Sequence, residues 1–262
     1  MSQISATIIT RNEEATIGEC LRSLQGVADE IIVIDSFSTD RTVDICRAAG
    51  CMVRQRRFAG YGAQRQYATS LATHRYVLTI DADEVLSPSL RETLIRLKDE
   101  GFAHRVYSLS RLNFYCGEPV RRCGWYPDRQ IRLFDKRYAA WNLREVQEAV
   151  TFPDSVRPFE LDGDILHYRC RTAAEYALTE RRHAGIRGRV IAAHTNRVGL
   201  VAPVLRGIKA FLGCYIGQGG IMDGRPGRAI SAERYRSTLT AYRIARRILR
   251  RQNVTEIPAS AK

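Results

Sequence analysis

Tyr76-Val77-Leu78-Thr79-Ile80-Asp81-Ala82-Asp83-Glu84 carries a mostly apolar run straight into three carboxylates. A short apolar run bounded by polar residues reads as a buried strand. On an extended chain, residues two apart share a side, so Asp81 and Asp83 are expected to face the same way at the strand's C-terminal end. That is the end at which open α/β sheets bind ligands. Adjacent carboxylates repel, and a divalent cation between them relieves the repulsion. Hard oxygen ligands suit Mg²⁺ or Mn²⁺, ions that commonly bridge to phosphate. The plainer reading of the same residues is a solvated acidic turn after a strand.

Upstream, Ile4 to Thr10 is rich in β-branched residues and reads as a first strand. Arg11-Asn12-Glu13-Glu14 follows, and then a helical spacing through Ile17, Leu21 and Leu24. Glu30-Ile-Ile-Val-Ile-Asp35 is a second buried strand ending in a carboxylate. Ser36, Ser38, Thr39 and Asp40 are N-cap residues ahead of a helix through Val43 and Cys46, which Gly50 closes. A short strand from Cys51 and a helix carrying Gln64, Arg65 and Gln66 lead into the opening stretch. Pro88 then starts a helix with Leu90, Leu94 and Leu97 on one face. Strand and helix alternate four times, which calls for a mostly parallel sheet covered by helices on both faces. Three polar strand ends converge at one edge: Thr10 to Glu13, Asp35, and Asp81 to Glu84. Neither G-x-G-x-x-G nor G-x-x-x-x-G-K-[ST] occurs, which disfavours a dinucleotide-dependent dehydrogenase or a P-loop NTPase.

The chain has 262 residues, enough for one large domain or a domain with an appendage. No apolar run reaches the roughly 18 residues of a membrane span. The first residues lack a basic leader and a long apolar core, so a cytosolic protein is expected. The seven cysteines form no C-x-x-C pair and are expected to be reduced, space-filling thiols. Of the formal +13 charge, Arg169 to Arg251 holds 18 Arg and Lys against 4 Asp and Glu. Such segregation favours an anionic partner, a membrane leaflet or a nucleic acid, over a merely solubilising surface.

Three features taken together resemble family 2 glycosyltransferases of the GT-A fold. They are Thr10-Arg11-Asn12-Glu13 after the first strand, Val33-Ile-Asp35-Ser-Phe-Ser-Thr-Asp40 after the second, and Asp81-Ala82-Asp83-Glu84. Gly124-Trp-Tyr-Pro-Asp128, Ile131-Arg-Leu-Phe134, Trp141, Leu166-His167-Tyr168 and Met222-Asp-Gly224 resemble the branch that includes lipopolysaccharide core β-1,4-glucosyltransferases. The resemblance implies a nucleotide-sugar donor held by Thr10, Arg11, Asn12, Glu13, Asp35, Arg65, Asp81, Ala82 and Asp83. Within that set, Asp35 would accept a hydrogen bond from a uracil base. Arg65 is either a phosphate or base contact or a solvated helix residue. Asp83 would bind Mn²⁺ or Mg²⁺, and His167 is a second candidate ligand, or a structural histidine. Members of this family invert the anomeric centre, which needs a carboxylate base for the acceptor hydroxyl. Glu148 is the favoured candidate and Asp128 the alternative. Relatives tend to carry Val-His-Glu where this chain has Val146-Gln147-Glu148, a departure that removes a titratable neighbour. Trp125, Tyr126 and Trp141 are candidates for an acceptor-stacking surface or for core aromatics.

The expected organisation is a catalytic domain over 1–168, a basic helical region over 169–251 and a flexible tail over 252–262. Helical spacing sets in from Thr172, again from Pro203, and again over Ala232 to Arg251. Basic amphipathic helices beside a strongly apolar one suit an anionic membrane surface through 200–251, and a peripheral position on the inner face of the cell membrane. The alternative is helices that only cover the catalytic sheet. The expected activity is metal-dependent hexose transfer from a UDP-sugar to a glycolipid or related cell-envelope glycan. A protein or polysaccharide acceptor is a second reading. A non-catalytic nucleic-acid-binding protein is a third, and no nucleic acid is expected because the last helix carries an apolar face and the acidic cluster repels phosphate.

Overall fold

The structure is a computed structural model that describes residues 2–143 and 148–255, with side chains as far as Arg251. Its first half runs β1 (Ile4–Thr10), α1 (Ile17–Leu24), β2 (Glu30–Asp35), α2 (Thr42–Ala48), β3 (Met52–Gln55), α3 (Tyr61–Leu71), β4 (Tyr76–Asp81), β5 (Glu84–Leu86) and α4 (Pro88–Glu100). There follow β6 (Val106–Tyr115), β7 (Glu118–Pro119), β8 (Asp128–Asp135), β9 (Ala140–Trp141), β10 (Val150–Thr151) and β11 (Phe159–Cys170). The chain continues through α5 (Ala173–Ala193), α6 (Val201–Leu212), a π-helical turn (Gly213–Gly217), a 3-10 turn (Gly220–Asp223) and α7 (Gly224–Thr255).

The main sheet has the order β3-β2-β1-β4-β8-β6-β11-β5, with β7 paired to β6. Strands β3, β2, β1 and β4 are parallel, and β8 joins β4 antiparallel. The fold class is the expected one, a mostly parallel sheet flanked by helices with a C-terminal helical extension. Register carries the polar ends to one edge: Thr10 lies opposite Asp35, and Ile9 opposite Asp81. Each strand then sorts its side chains by the two-residue period. Leu78 and Ile80 join Ile4, Ile8, Leu21 and Leu90 on one face, while Val77 joins Ile34, Ala68 and Phe134 on the other. Each fully buried aliphatic side chain stabilises by about 1.5–3 kcal/mol, so these two layers make the strand ends a rigid platform.

The start of α4 is fixed by Ser87, whose hydroxyl accepts from the Leu90 N–H at 3.2 Å, with Pro88 in the first turn. Gly163 in β11 passes so close that a Cβ there would lie 2.4 Å from Leu90 N, and its φ of +98° already favours glycine.

The chain divides into two compact units, Met1–Leu112 with Pro127–His167, and Asn113–Tyr126 with Tyr168–Lys262. The second draws in residues 113–126, a segment the sequence pattern assigns to the catalytic half. Cys123 and Trp125 bury themselves with Tyr176, Cys214 and Ile230, and the Asp223 carboxylate accepts the N–H groups of Arg121 and Arg122 at 3.2 and 2.8 Å. That contact gives the Met222-Asp223-Gly224 motif a structural role. Within this unit α5 opens on a capping box, Thr172 with Glu175. α5 and α6 approach α7 through glycines: a Cβ on Gly188 would lie 2.8 Å from the Ala241 carbonyl oxygen, and one on Gly207 2.8 Å from the Tyr235 ring. α7 begins at Gly224, earlier than the helix expected from Ala232, because Pro226 falls in a first turn that needs no N–H from it. It continues to Thr255, into the segment 252–262 expected as a tail; residues 256–262 lie outside the described residues. Every cysteine is a free thiol. Among the described residues no helix is long and apolar enough to cross a membrane.

Candidate active site

A cleft of about 400 Å³ opens where β1 and β4 end. It is lined by Thr10, Arg11, Glu13, Arg65, Asp81, Ala82, Asp83 and His167 among the residues singled out from sequence, and by Ser36, Phe58 and Tyr61 in addition. Ser36 belongs to the Val33–Asp40 motif, but Phe58 and Tyr61 follow from no motif read in the sequence, although Gly60-Tyr61-Gly62 marks a turn that places an aromatic at the mouth. Phe58 and Tyr61 are half exposed and meet edge to face, ring centroids 5.0 Å apart.

Asn12 and Asp35 stand behind this lining. Asn12 adopts a φ of +56°, its N–H donates to Ser38 Oγ at 2.8 Å, and its Oδ1 accepts from the Thr39 N–H at 2.8 Å. It therefore ties the loop after β1 to the loop after β2. Asp35 is fully buried, and its carboxylate accepts from the Ser38 N–H at 3.0 Å, from the Ser38 hydroxyl and from Gln55 Nε2 at 3.1 Å. A carboxylate engaged this way shapes the Ser36–Ser38 turn from below.

The acid-x-acid stretch differs from its extended reading. β4 ends at Asp81 and the chain turns at Ala82–Asp83, so the two carboxylates take different partners. Asp81 turns to two buried guanidiniums: Arg65 Nη2 lies 2.7 Å from Oδ1, and Arg132 Nη2 3.1 Å from Oδ2. Arg132 also donates to Glu84 Oε1 at 2.9 Å, and Arg111 lies 3.3 Å from the same oxygen and 2.6 Å from Asp128 Oδ2. The repulsion among Asp81, Glu84 and Asp128 is thus offset by arginines from α3, β6 and β8. Burial alone would raise the Asp81 carboxyl, but Arg65 and Arg132 hold it well below the usual carboxylate range. Burial would likewise weaken the hold of Arg132 on its proton, and Glu84 and Asp81 reverse that. Arg132 is the residue of this site that sequence reasoning missed. An arginine inside a strand reads as a surface residue, and its only signal is its place in Ile131-Arg132-Leu133-Phe134.

Asp83 faces the cleft with His167 Nε2 3.2 Å from its Oδ2. One carboxylate and one imidazole side by side, both on the lining, fit a divalent cation that takes its other ligands from water and a diphosphate. Among the described residues no cluster of three or more His, Cys, Asp or Glu is arranged to hold a metal. Mg²⁺ in particular is commonly held by one or two carboxylates together with substrate phosphates, so two protein ligands suffice.

Arg65 deepens the cleft's polarity. Its side chain is buried, its guanidinium lies 5.0 Å from the Trp141 ring, and among the described residues its Nε and Nη1 have no hydrogen-bond partner. Thr10 Oγ1 is likewise buried and, among the described residues, without a hydrogen-bond partner. The two candidate bases lie off this lining. Asp128 opens β8 and is bound by Arg111 and by Gln130 Nε2 at 2.7 Å. Glu148 is half-buried, two residues before β10. Gln147 lies outside the described residues. Trp125 and Trp141, candidates for a stacking surface, are both buried in core clusters.

The family model of Glycosyl transferase family 2 matches residues 5–146. An uncharacterized glycosyltransferase of Rickettsia typhi is 36% identical over 143 residues, covering 54% of this chain and 49% of that protein. The chain thus spans about half the length of that relative. The lipopolysaccharide core biosynthesis glycosyltransferase LpsC of Rhizobium meliloti is 30% identical over 197 residues, 70% of each chain. A solved structure of glucosyl-3-phosphoglycerate synthase from Mycobacterium tuberculosis, with Mn²⁺, UDP and glucosyl-3-phosphoglycerate, is 26% identical over 44% of each chain, with a TM-score of 0.35. So loose a superposition carries nothing further about this protein. The family match takes in β1 and β4, whose ends open the cleft, and with the LpsC likeness over most of both chains it settles the lineage: this chain belongs to glycosyl transferase family 2.

Proposed function

We propose that the chain is an inverting, metal-dependent glycosyltransferase of the GT-A type. Its donor is a UDP-sugar, its transferred group a hexose (glucose in the branch it resembles), and its acceptor a glycolipid of the lipopolysaccharide core or a related envelope glycan. The observation that carries this reading is the cleft that gathers Thr10, Glu13, Arg65, Asp83 and His167 at the ends of two parallel strands. The role named for LpsC supports the acceptor class. A lipid-linked acceptor goes with a peripheral position on the cytoplasmic side of the membrane.

Each side chain then has a task. Phe58 and Tyr61 offer exposed ring faces for stacking the base. Thr10 Oγ1 has hydrogen-bonding capacity left for the ribose or base, with Arg11 and Glu13 beside it. The unspent Nε–H and Nη1–H of Arg65 suit a diphosphate oxygen, since a guanidinium presents its donors in a fixed fork. Asp83 and His167 would hold Mn²⁺ or Mg²⁺, which when bound offsets the charge developing on the leaving nucleoside diphosphate. Calorimetry of UDP, GDP, CDP and ADP, each with and without Mn²⁺, tests the reading. Selective, metal-dependent UDP binding is expected, and failure of all four to bind with metal present overturns it.

Glu148 is the proposed general base. Asp128 is engaged by Arg111 and Gln130 in holding β6 to β8, whereas Glu148 has no hydrogen bond or ion pair among the described residues. Glu148→Gln should retain UDP binding and lose about 10²–10⁴-fold in transfer, the usual contribution of a positioned base. Asp128→Asn should retain most of its turnover. The reverse pattern in a transfer assay moves the base to Asp128.

A further inference from the structure

α6 is turned inside out relative to a helix of a water-soluble bundle. Such a helix points its aliphatic stripe inward. Here the inward face is Pro203 and Gly207, both buried, with Gly207 directly against the Tyr235 ring of α7. The aliphatic residues Val201, Val204, Leu205, Ile208 and Leu212 are all exposed, Leu205 at 60%. At about 100° per residue those five positions fall within roughly a third of the helix circumference. Ile216, 65% exposed, extends the strip into the π-helical turn. The helix cannot roll to hide this face without driving a branched side chain into the space now taken by Gly207. Arg246 Nη2 further fixes its entry by donating to the Gly199 carbonyl at 2.6 Å.

The charge around the strip is of one sign. Residues 181–222 contain seven Arg and Lys and no Asp or Glu. Lys209, exposed, lies on the flank of the strip, whereas Arg206 turns to α7, where its guanidinium donates to the Tyr242 hydroxyl and lies 5.3 Å from that ring. We propose that the outward face of α6 inserts into the interfacial layer of an anionic lipid membrane, with Lys209 at the headgroups. Such a helix lies in the membrane plane with its apolar side about 5–10 Å into the headgroup boundary, and basic side chains at its edge reach back to the phosphates. A second copy of the chain is the poorer occupant, because it would bring the same unbalanced positive charge to both sides of the contact. The inference rests on the proposed glycolipid acceptor only for its biological sense. The lipid contact itself stands on the face and its charge.

Flotation of the full chain with phosphatidylcholine vesicles, with and without phosphatidylglycerol, tests this. Strong binding is expected only with the anionic lipid, weakening as salt is raised. Leu205→Asn with Leu212→Asn, and separately Val201→Asn with Ile208→Asn, alter exposed positions and should fold. Each pair should lower vesicle binding at least about tenfold while leaving UDP binding unchanged. Wild-type protein that ignores anionic vesicles overturns the proposal. So does wild-type-like binding by both pairs, which would leave attraction by charge alone. A concentration-dependent dimer in sedimentation velocity, abolished by the same pairs while vesicle binding stays intact, assigns the face to a second copy. Absent UDP binding beside intact flotation would sink the transferase reading and leave the membrane surface standing.

Discussion

Asp83→Ala should abolish metal-dependent UDP binding and lower transfer by about 10²-fold or more, with little change in stability. The size follows from the several kcal/mol that a bound cation supplies to a transition state in which a diphosphate leaves, at about 1.4 kcal/mol per tenfold in rate. The neutrality toward folding follows from geometry. Asp83 is a third exposed and, among the described residues, its hydrogen-bond partner is His167, itself on the cleft lining. Neither buried arginine depends on it: Arg132 holds Asp81 and Glu84, and Arg65 holds Asp81. Calorimetry with and without Mn²⁺, a transfer assay and a urea melt on the same preparation make the test complete. Full turnover in the variant would remove Asp83 from the metal site. A large drop in the urea midpoint would show that Asp83 serves the fold. His167→Ala should weaken Mn²⁺-dependent UDP binding in the same direction, since the imidazole completes the pair.

The parallel half of this fold is legible in sequence because burial and periodicity agree there. Ile4 to Thr10, Glu30 to Asp35 and Tyr76 to Asp81 are apolar runs closed by polar residues, and the helices between them bury the positions their spacing predicts, such as Ile17, Leu21 and Leu24 in α1. β6 is hidden because its buried positions include Ser108, Ser110 and Asn113, so neither apolar run nor clean alternation survives. At the site, the motif locates the turn but not its partners. Asp81 and Asp83 look equivalent in an acid-x-acid stretch, and only the turn at Ala82 ties one to the arginines and the other to His167, with both on the cleft lining. Asp35 is ambiguous in sequence for a related reason. A carboxylate after a strand can face a ligand or close a turn, and Ser38 three residues on takes it for the turn. In the C-terminal third, the periodicity gives helices with an apolar side but not which side faces out. That is decided by Gly207 and Gly188, whose missing side chains bring α6 and α5 close to α7.

Arg132→Met should destabilise the chain by about 3–5 kcal/mol, because it removes one partner from a buried charge pair and leaves the other uncompensated. Arg132 is almost fully buried and its Nη2 serves Asp81 Oδ2 and Glu84 Oε1 together. After the substitution Asp81 keeps Arg65 and Glu84 keeps Arg111, the latter at 3.3 Å. Glu84 is fully buried and also accepts the Asp81 N–H at 3.0 Å, so its displacement would loosen the turn that presents Asp83. The urea midpoint should therefore fall and UDP binding should weaken with it, whereas Asp83→Ala separates the two. The origin of the loss can be isolated with Glu84→Gln. If the penalty comes from an unpaired buried carboxylate, Arg132→Met with Glu84→Gln should cost less than the sum of the single changes, by about 0.5–3 kcal/mol. Strict additivity would mean that Arg132 and Glu84 stabilise the turn independently. An unmoved midpoint in Arg132→Met would mean that the arginine network follows the turn and does not hold it.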